Sequence, residues 1–155
     1  MRKEKTAVVI EDVPQIRDEV RGVLEKKGFS VQAHSSSEKA LQAIKKQALQ
    51  DAIVISDLLN SDLSAGTIYL EEIAEEVRWR INDLSELGEI LQSRVIVFSA
   101  FANLVSSKDY PEEIVNSIQG YLKESGIEEQ DVIAKFPPNE GFTVGLQRLE
   151  EKLSR

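Results

Sequence analysis

Glu11, Asp12, Asp57, Ser99 and Lys135 each stand at the end of a short apolar run, and together they form a set suited to a divalent cation and a phosphoryl group. The runs are Ala7-Val8-Val9-Ile10 before Glu11 and Asp12, Ile53-Val54-Ile55-Ser56 before Asp57, Val95-Ile96-Val97-Phe98 before Ser99, and Val132-Ile133-Ala134 before Lys135. The carboxylates of Glu11, Asp12 and Asp57 are the hard oxygen ligands that Mg²⁺ prefers beside water and phosphate oxygen. Asp57, alone at its strand end, is also placed to attack phosphorus and form an acyl phosphate. The Ser99 hydroxyl would donate to one phosphoryl oxygen and the Lys135 ammonium would neutralise another, the positioning and charge compensation that phosphoryl transfer needs.

For these residues to meet, the runs must be neighbouring strands that end on one edge. Short continuous runs rich in Val and Ile suit strands covered on both faces. Helical patterns separate them. Val13, Ile16, Val20, Val23 and Leu24 follow helical spacing, with Pro14 in the first turn and Gly28 as a stop. Phe29 to Ala33 reads as a further strand, and Ser35 with Glu38 as a capping box before the stripe Ala40, Leu41, Ile44 and Ala48. Alternation of strand and helix predicts a parallel sheet with helices on both faces, a three-layer α/β/α domain of five strands over residues 1–155. In such a sheet, ligands bind beyond the carboxyl ends of the strands, where all five candidate residues fall.

Two connections are longer than a crossover requires. From Gly66 to Ser93 apolar residues recur at Leu70, Ile73, Val77, Ile81, Leu84, Leu87 and Leu91, as one long helix or two short ones. Leu70, Val77, Leu84 and Leu91 lie at heptad intervals, so a seam for a partner helix, and with it a homodimer, stands beside the ordinary expectation that the stripe covers the sheet. Trp79 lies off that stripe, with burial against the long connection expected and a partner contact as the alternative. Glu71-Glu72 and Glu75-Glu76 read as a solvated face. The other connection holds a loop from Phe101 to Asp109 and a helix from Pro111 to about Ser125, stopped by Gly126. Phe142, Leu146, Leu149 and Leu153 share one face of a last helix.

The 19 basic and 27 acidic residues give a net charge of −8, which argues against nucleic acid and against an anionic membrane surface as partners. The sequence contains neither a membrane-spanning apolar stretch nor a signal peptide pattern, and cytoplasm is the expected location. Absence of Cys excludes disulfides and thiolate metal sites. His34, the single His, is expected at the surface and not as a phosphodonor or ligand. Asp12 is expected also to cap the first helix.

From about Thr6 to Leu153 the chain resembles the receiver domains of two-component response regulators. Glu11 and Asp12 match the acidic pair, Asp57 the phosphoacceptor, Ser99 the Thr/Ser switch residue, and Lys135 the lysine of that family. The resemblance implies a flavodoxin-like, doubly wound sheet of order 2-1-3-4-5, Mg²⁺ bound in part by the backbone carbonyl of Leu59, and a phosphoryl group taken from a histidine kinase or phosphotransfer protein. Output would pass to a protein partner.

The sequence departs from the family in two places. Val132 stands where the family has its aromatic switch residue, and Lys135 is followed by Phe136 before Pro137, which makes Phe136-Pro137 the bond expected to be capable of a cis form. Leu59 and Phe101, bulky and apolar two positions beyond Asp57 and Ser99, are expected to slow hydrolysis of the phosphoryl group. The alternative function is a degenerate receiver that binds protein without phosphorylation. A phosphatase of the haloacid dehalogenase type would need a second Asp where Leu59 stands.

Overall fold

A computed structural model describes residues 5–47, 51–58, 70–99, 112–135 and 140–154. Five strands, β1 (Lys5–Ile10), β2 (Phe29–His34), β3 (Ile53–Ser56), β4 (Val95–Ser99) and β5 (Val132–Ala134), pair in parallel in the order β2-β1-β3-β4-β5. Among the described residues, five α-helices accompany them: α1 (Pro14–Lys26), α2 (Ser37–Lys45), α3 (Leu70–Leu91), α4 (Glu112–Glu124) and α5 (Phe142–Leu153). This is the flavodoxin-like order that the resemblance implies.

The continuous apolar runs arise because neither face of the sheet meets water. Successive side chains of a strand point to opposite faces. Val8, Ile10, Val54 and Val97 pack with α2, α3 and α4 around Ile44, Leu84 and Ile118. Ala7, Val9, Ile55, Ile96, Phe98 and Ile133 pack on the other side with α1 and α5 around Leu24 and Leu149.

The helix boundaries have local causes, and two differ from the sequence reading. Pro14 begins α1, and Gly28, at φ 90°, turns the chain into β2 in a conformation that suits glycine. The N-cap of α1 is Val13 and not Asp12; the Val13 amide is instead satisfied by Glu11 Oε1 at 3.2 Å. The cap of α2 is Ser36 and not Ser35, with the Lys39 amide donating to Ser36 Oγ at 3.2 Å. Glu38, three residues after Ser35, points to the earlier serine, but it is Ser36 whose hydroxyl reaches a helix amide. Ala48 of the expected α2 stripe lies outside the described residues.

In the long connection before β4, the described residues form one helix, α3, of 22 residues. Val77, Leu84 and Leu91 of its heptad row are fully buried in the core, which removes the partner-helix reading of that row. The side chain of Leu70 lies outside the described residues. Leu91 O accepts from Asp51 N at the amino edge of β3, whereas Arg80 and Asp83 bond to Leu58 and Ser37 at the carboxyl edge. Trp79, expected to be covered, is 64% exposed. Glu75 and Glu76 are solvated as expected. His34, expected at the surface, is half-buried; burial lowers its pKa, and its Nε2 has no hydrogen-bond partner among the described residues.

Among the described residues, no helix is long and apolar enough to cross a membrane.

Candidate functional site

The ladder of backbone hydrogen bonds runs one residue beyond the assigned strands, and these last rungs hold the candidate residues. Glu11 N donates to His34 O at 3.0 Å, Asp57 N to Ile10 O at 3.0 Å, and Lys135 N to Ser99 O at 3.1 Å. Ile10 is in register with Ser56, and Ser99 with Ala134. One edge of the sheet thus gathers Glu11, Asp12, Asp57, Ser99 and Lys135, all five residues expected there.

Lys135 joins them. Its ammonium donates to Glu11 Oε2 at 2.6 Å and to Asp57 Oδ2 at 2.7 Å, and the residue is only 2% exposed. Burying that charge unpaired would cost several kcal/mol, so the carboxylates are what allow it at the end of β5. The backbone of Lys135 is set by α5. A Cβ on Gly145 would collide with the Lys135 carbonyl, so glycine at that position permits the helix to lie against the strand end.

Burial, and next the Asp57 charge, push the pKa of Glu11 up from 4.5 to about 7. The ion pair with Lys135 opposes this shift without cancelling it, because the ammonium is shared with Asp57 and because removing a carboxylate from water favours its neutral form. Asp57 Oδ1 accepts from Leu58 N at 2.7 Å, and Ser99 Oγ, fully buried, lies 3.4 Å from the same amide. The hydroxyl therefore sits beside the phosphoacceptor candidate.

One oxygen each from Glu11, Asp12 and Asp57 lie within 4.8 Å of one another. Oxygens bound octahedrally at about 2.1 Å stand about 3 to 4 Å apart, so three hard anionic donors converge at a scale that suits Mg²⁺. With Ser35, Ser36, Ser37 and Arg80 they line a cleft of about 10 Å³, room for one water-sized occupant. A larger cavity of about 420 Å³ lies at the start of β4, beside Gly88, Arg94 and Ile127. It holds none of the five residues, and its Arg94 is paired with Asp131.

Sequence reasoning missed Arg80 and Gly145. Arg80 flanks the buried stripe between Val77 and Ile81, and a cation there needs an inward partner, a signal present in the helical spacing. Gly145 interrupts a helical pattern, which itself hints at close packing. Leu59, Phe101 and the Phe136-Pro137 bond lie outside the described residues.

A five-stranded parallel sheet of order 2-1-3-4-5 flanked by helices is the flavodoxin-like fold of receiver domains. Solved receiver structures share it. The chain superposes on the BeF3-activated DrrB receiver domain with a TM-score of 0.54 and 18% identity, over 99% of this chain and 100% of that one. For the chemotaxis response regulator CheY4 of Vibrio cholerae the TM-score is 0.52 and the identity 16%, over 97% and 99%. No protein-family model matches the sequence, nor does any curated protein.

Proposed function

We propose that the chain is a phosphoacceptor signalling module. A carboxylate oxygen of Asp57 attacks the phosphorus of a phosphohistidine on a histidine kinase or phosphotransfer protein. The O–P bond forms as the N–P bond breaks, and the departing imidazole nitrogen keeps the electron pair. Lys135, already against Asp57, stays as the counter-charge for a phosphoryl oxygen, while Ser99 offers its hydroxyl to another. Glu11, Asp12, Asp57 and the Leu59 carbonyl would hold Mg²⁺. When bound, that ion supplies positive charge that offsets the repulsion between the carboxylate and the phosphoryl oxygens. The changed site would alter contacts with an output protein, in the cytoplasm.

The observation that carries this reading is the Lys135 ammonium at the end of β5 bridging Asp57, two strands away in the sheet, and Glu11, three strands away. Structural salt bridges also exist in buried places, but this one lies where a third carboxylate, Asp12, converges. Val132 favours a second reading. It packs against the core where the family has its aromatic switch, so a phosphorylation-independent binding module would need no change at that position.

Intact mass with peptide mapping, after incubation with Mg²⁺ and acetyl phosphate, separates the two. A single phosphoryl adduct on Asp57, absent without Mg²⁺ and absent in Asp57→Ala, is the expected result. No adduct together with no Mg²⁺ binding would favour the binding module.

A further inference from the structure

We propose that Arg80 is a positioning residue for the phosphoacceptor, acting on Asp57 through Leu58; this rests on the phosphoryl-acceptance reading above. Arg80 Nη1 donates to the Leu58 carbonyl at 2.9 Å, and the Arg80 side chain is 14% exposed. Its other nitrogen, Nη2, is 3.7 Å from Glu76, a longer contact to a half-exposed carboxylate. The stronger tie of this mostly buried cation is thus to the backbone of the phosphoacceptor turn.

Leu58 is held on both sides. Its amide donates to Asp57 Oδ1 at 2.7 Å and lies 3.4 Å from Ser99 Oγ, while its carbonyl is taken by Arg80. The Leu58 amide orients the Asp57 carboxylate, so whatever fixes Leu58 also fixes the nucleophile. A charge-assisted hydrogen bond from a planar guanidinium is a strong and directional anchor. It comes from α3, an element separate from the strand ends that carry Ser99 and Lys135. In-line attack tolerates little error, since a misplacement of about 1 Å can lower a rate about a hundredfold. Arg80 also lines the cleft that contains Glu11, Asp12 and Asp57, so direct contact with the donor is the competing role.

The two roles separate in Arg80→Met, which keeps most of the aliphatic stem and removes the donors, with Arg80→Lys as the conservative variant. Two quantities are measured: the rate of Asp57 phosphorylation against acetyl phosphate concentration at saturating Mg²⁺, and hydrogen exchange of the Leu58 amide by NMR before phosphorylation. In Arg80→Met the maximal rate should fall roughly tenfold or more with the half-saturating donor concentration unchanged. The Leu58 amide should exchange about tenfold faster, as loss of a charge-assisted hydrogen bond allows. The amides of Val54 and Val97 should keep their protection, showing an intact fold, and Arg80→Lys should recover part of both losses. A raised half-saturation with the maximal rate intact would assign Arg80 to the donor and overturn the proposal. Unchanged Leu58 exchange, or faster exchange with an unchanged rate, would overturn it as well. A wild-type chain that takes no phosphoryl group overturns the phosphoacceptor function and this proposal together, whereas a phosphorylated wild type with indifferent Arg80 variants overturns this proposal alone.

Discussion

Removing the Lys135 ammonium would strand Glu11 and Asp57 beside each other with little solvent. Breaking such a buried pairing costs about 3–5 kcal/mol, so Lys135→Met should lower the urea-unfolding free energy by about that amount at pH 8 in EDTA. The deficit should shrink in acid as the carboxylates take up protons. Glu11 gives a second pH effect of defined sign. Its folded pKa, about 7, lies above the unfolded 4.5, so between these values the folded chain holds a proton that the unfolded chain has released. Its contribution is most stabilising at and below pH 4.5 and declines as the pH rises to about 7. Relative to Glu11→Gln, the wild-type chain in EDTA should lose stability across that window and show no further relative change above it. A constant difference between the two proteins from pH 4 to 8 would contradict the raised value. These residues were legible in the sequence because each closes a run that must be apolar on both faces, so the polar side chains at its end mark where the strand reaches the carboxyl edge of the sheet. Arg80 was not singled out, because its meaning depends on a carbonyl 22 residues away.

Elements decide how accurately those side chains are delivered. In most helices glycine is worse than alanine by about 1 kcal/mol, but Gly145 lies where a methyl group would strike the Lys135 carbonyl. Gly145→Ala should therefore destabilise the chain, despite the helix preference, and slow phosphorylation of Asp57 by moving Lys135; thermal melting and the phosphorylation rate would measure the two effects. A stabilised variant with full activity would show that α5 is free to shift. On the opposite face, Leu84→Ala should cost about 2–5 kcal/mol in urea unfolding, since Leu84 is fully buried under the sheet. Its sedimentation should match that of the wild type, because the heptad row faces this chain's own core. That row shows where periodicity ceases to inform: the same apolar spacing serves a sheet or a second helix, and only the tertiary arrangement chooses. The cap of α2 was misplaced by one residue because Glu38 completes a capping box with Ser35, whereas the helix begins one residue later, on Ser36.

For the whole molecule, the layering was readable in the alternation of strand and helix patterns, while the strand order rested on the family resemblance, because alternation alone leaves the order of parallel strands open. Convergence of three carboxylates gives a prediction at this scale. If Mg²⁺ binds only the folded chain, a concentration one hundred times its Kd should add about 2.7 kcal/mol to stability, and EDTA should remove it. Asp57→Ala should blunt that gain in the same unfolding titration. The Lys135 contacts also bear on how the site comes into being. They join positions 124 and 78 residues apart in the chain, and loops of such length close late and slowly in parallel sheets. The carboxylates of β1 and β3 can therefore be adjacent in a partly folded chain that still lacks its counter-ion. Competence to receive a phosphoryl group would then arrive only with the docking of β5, so that in a refolding experiment the reactivity of Asp57 reports the last step of folding and not the first.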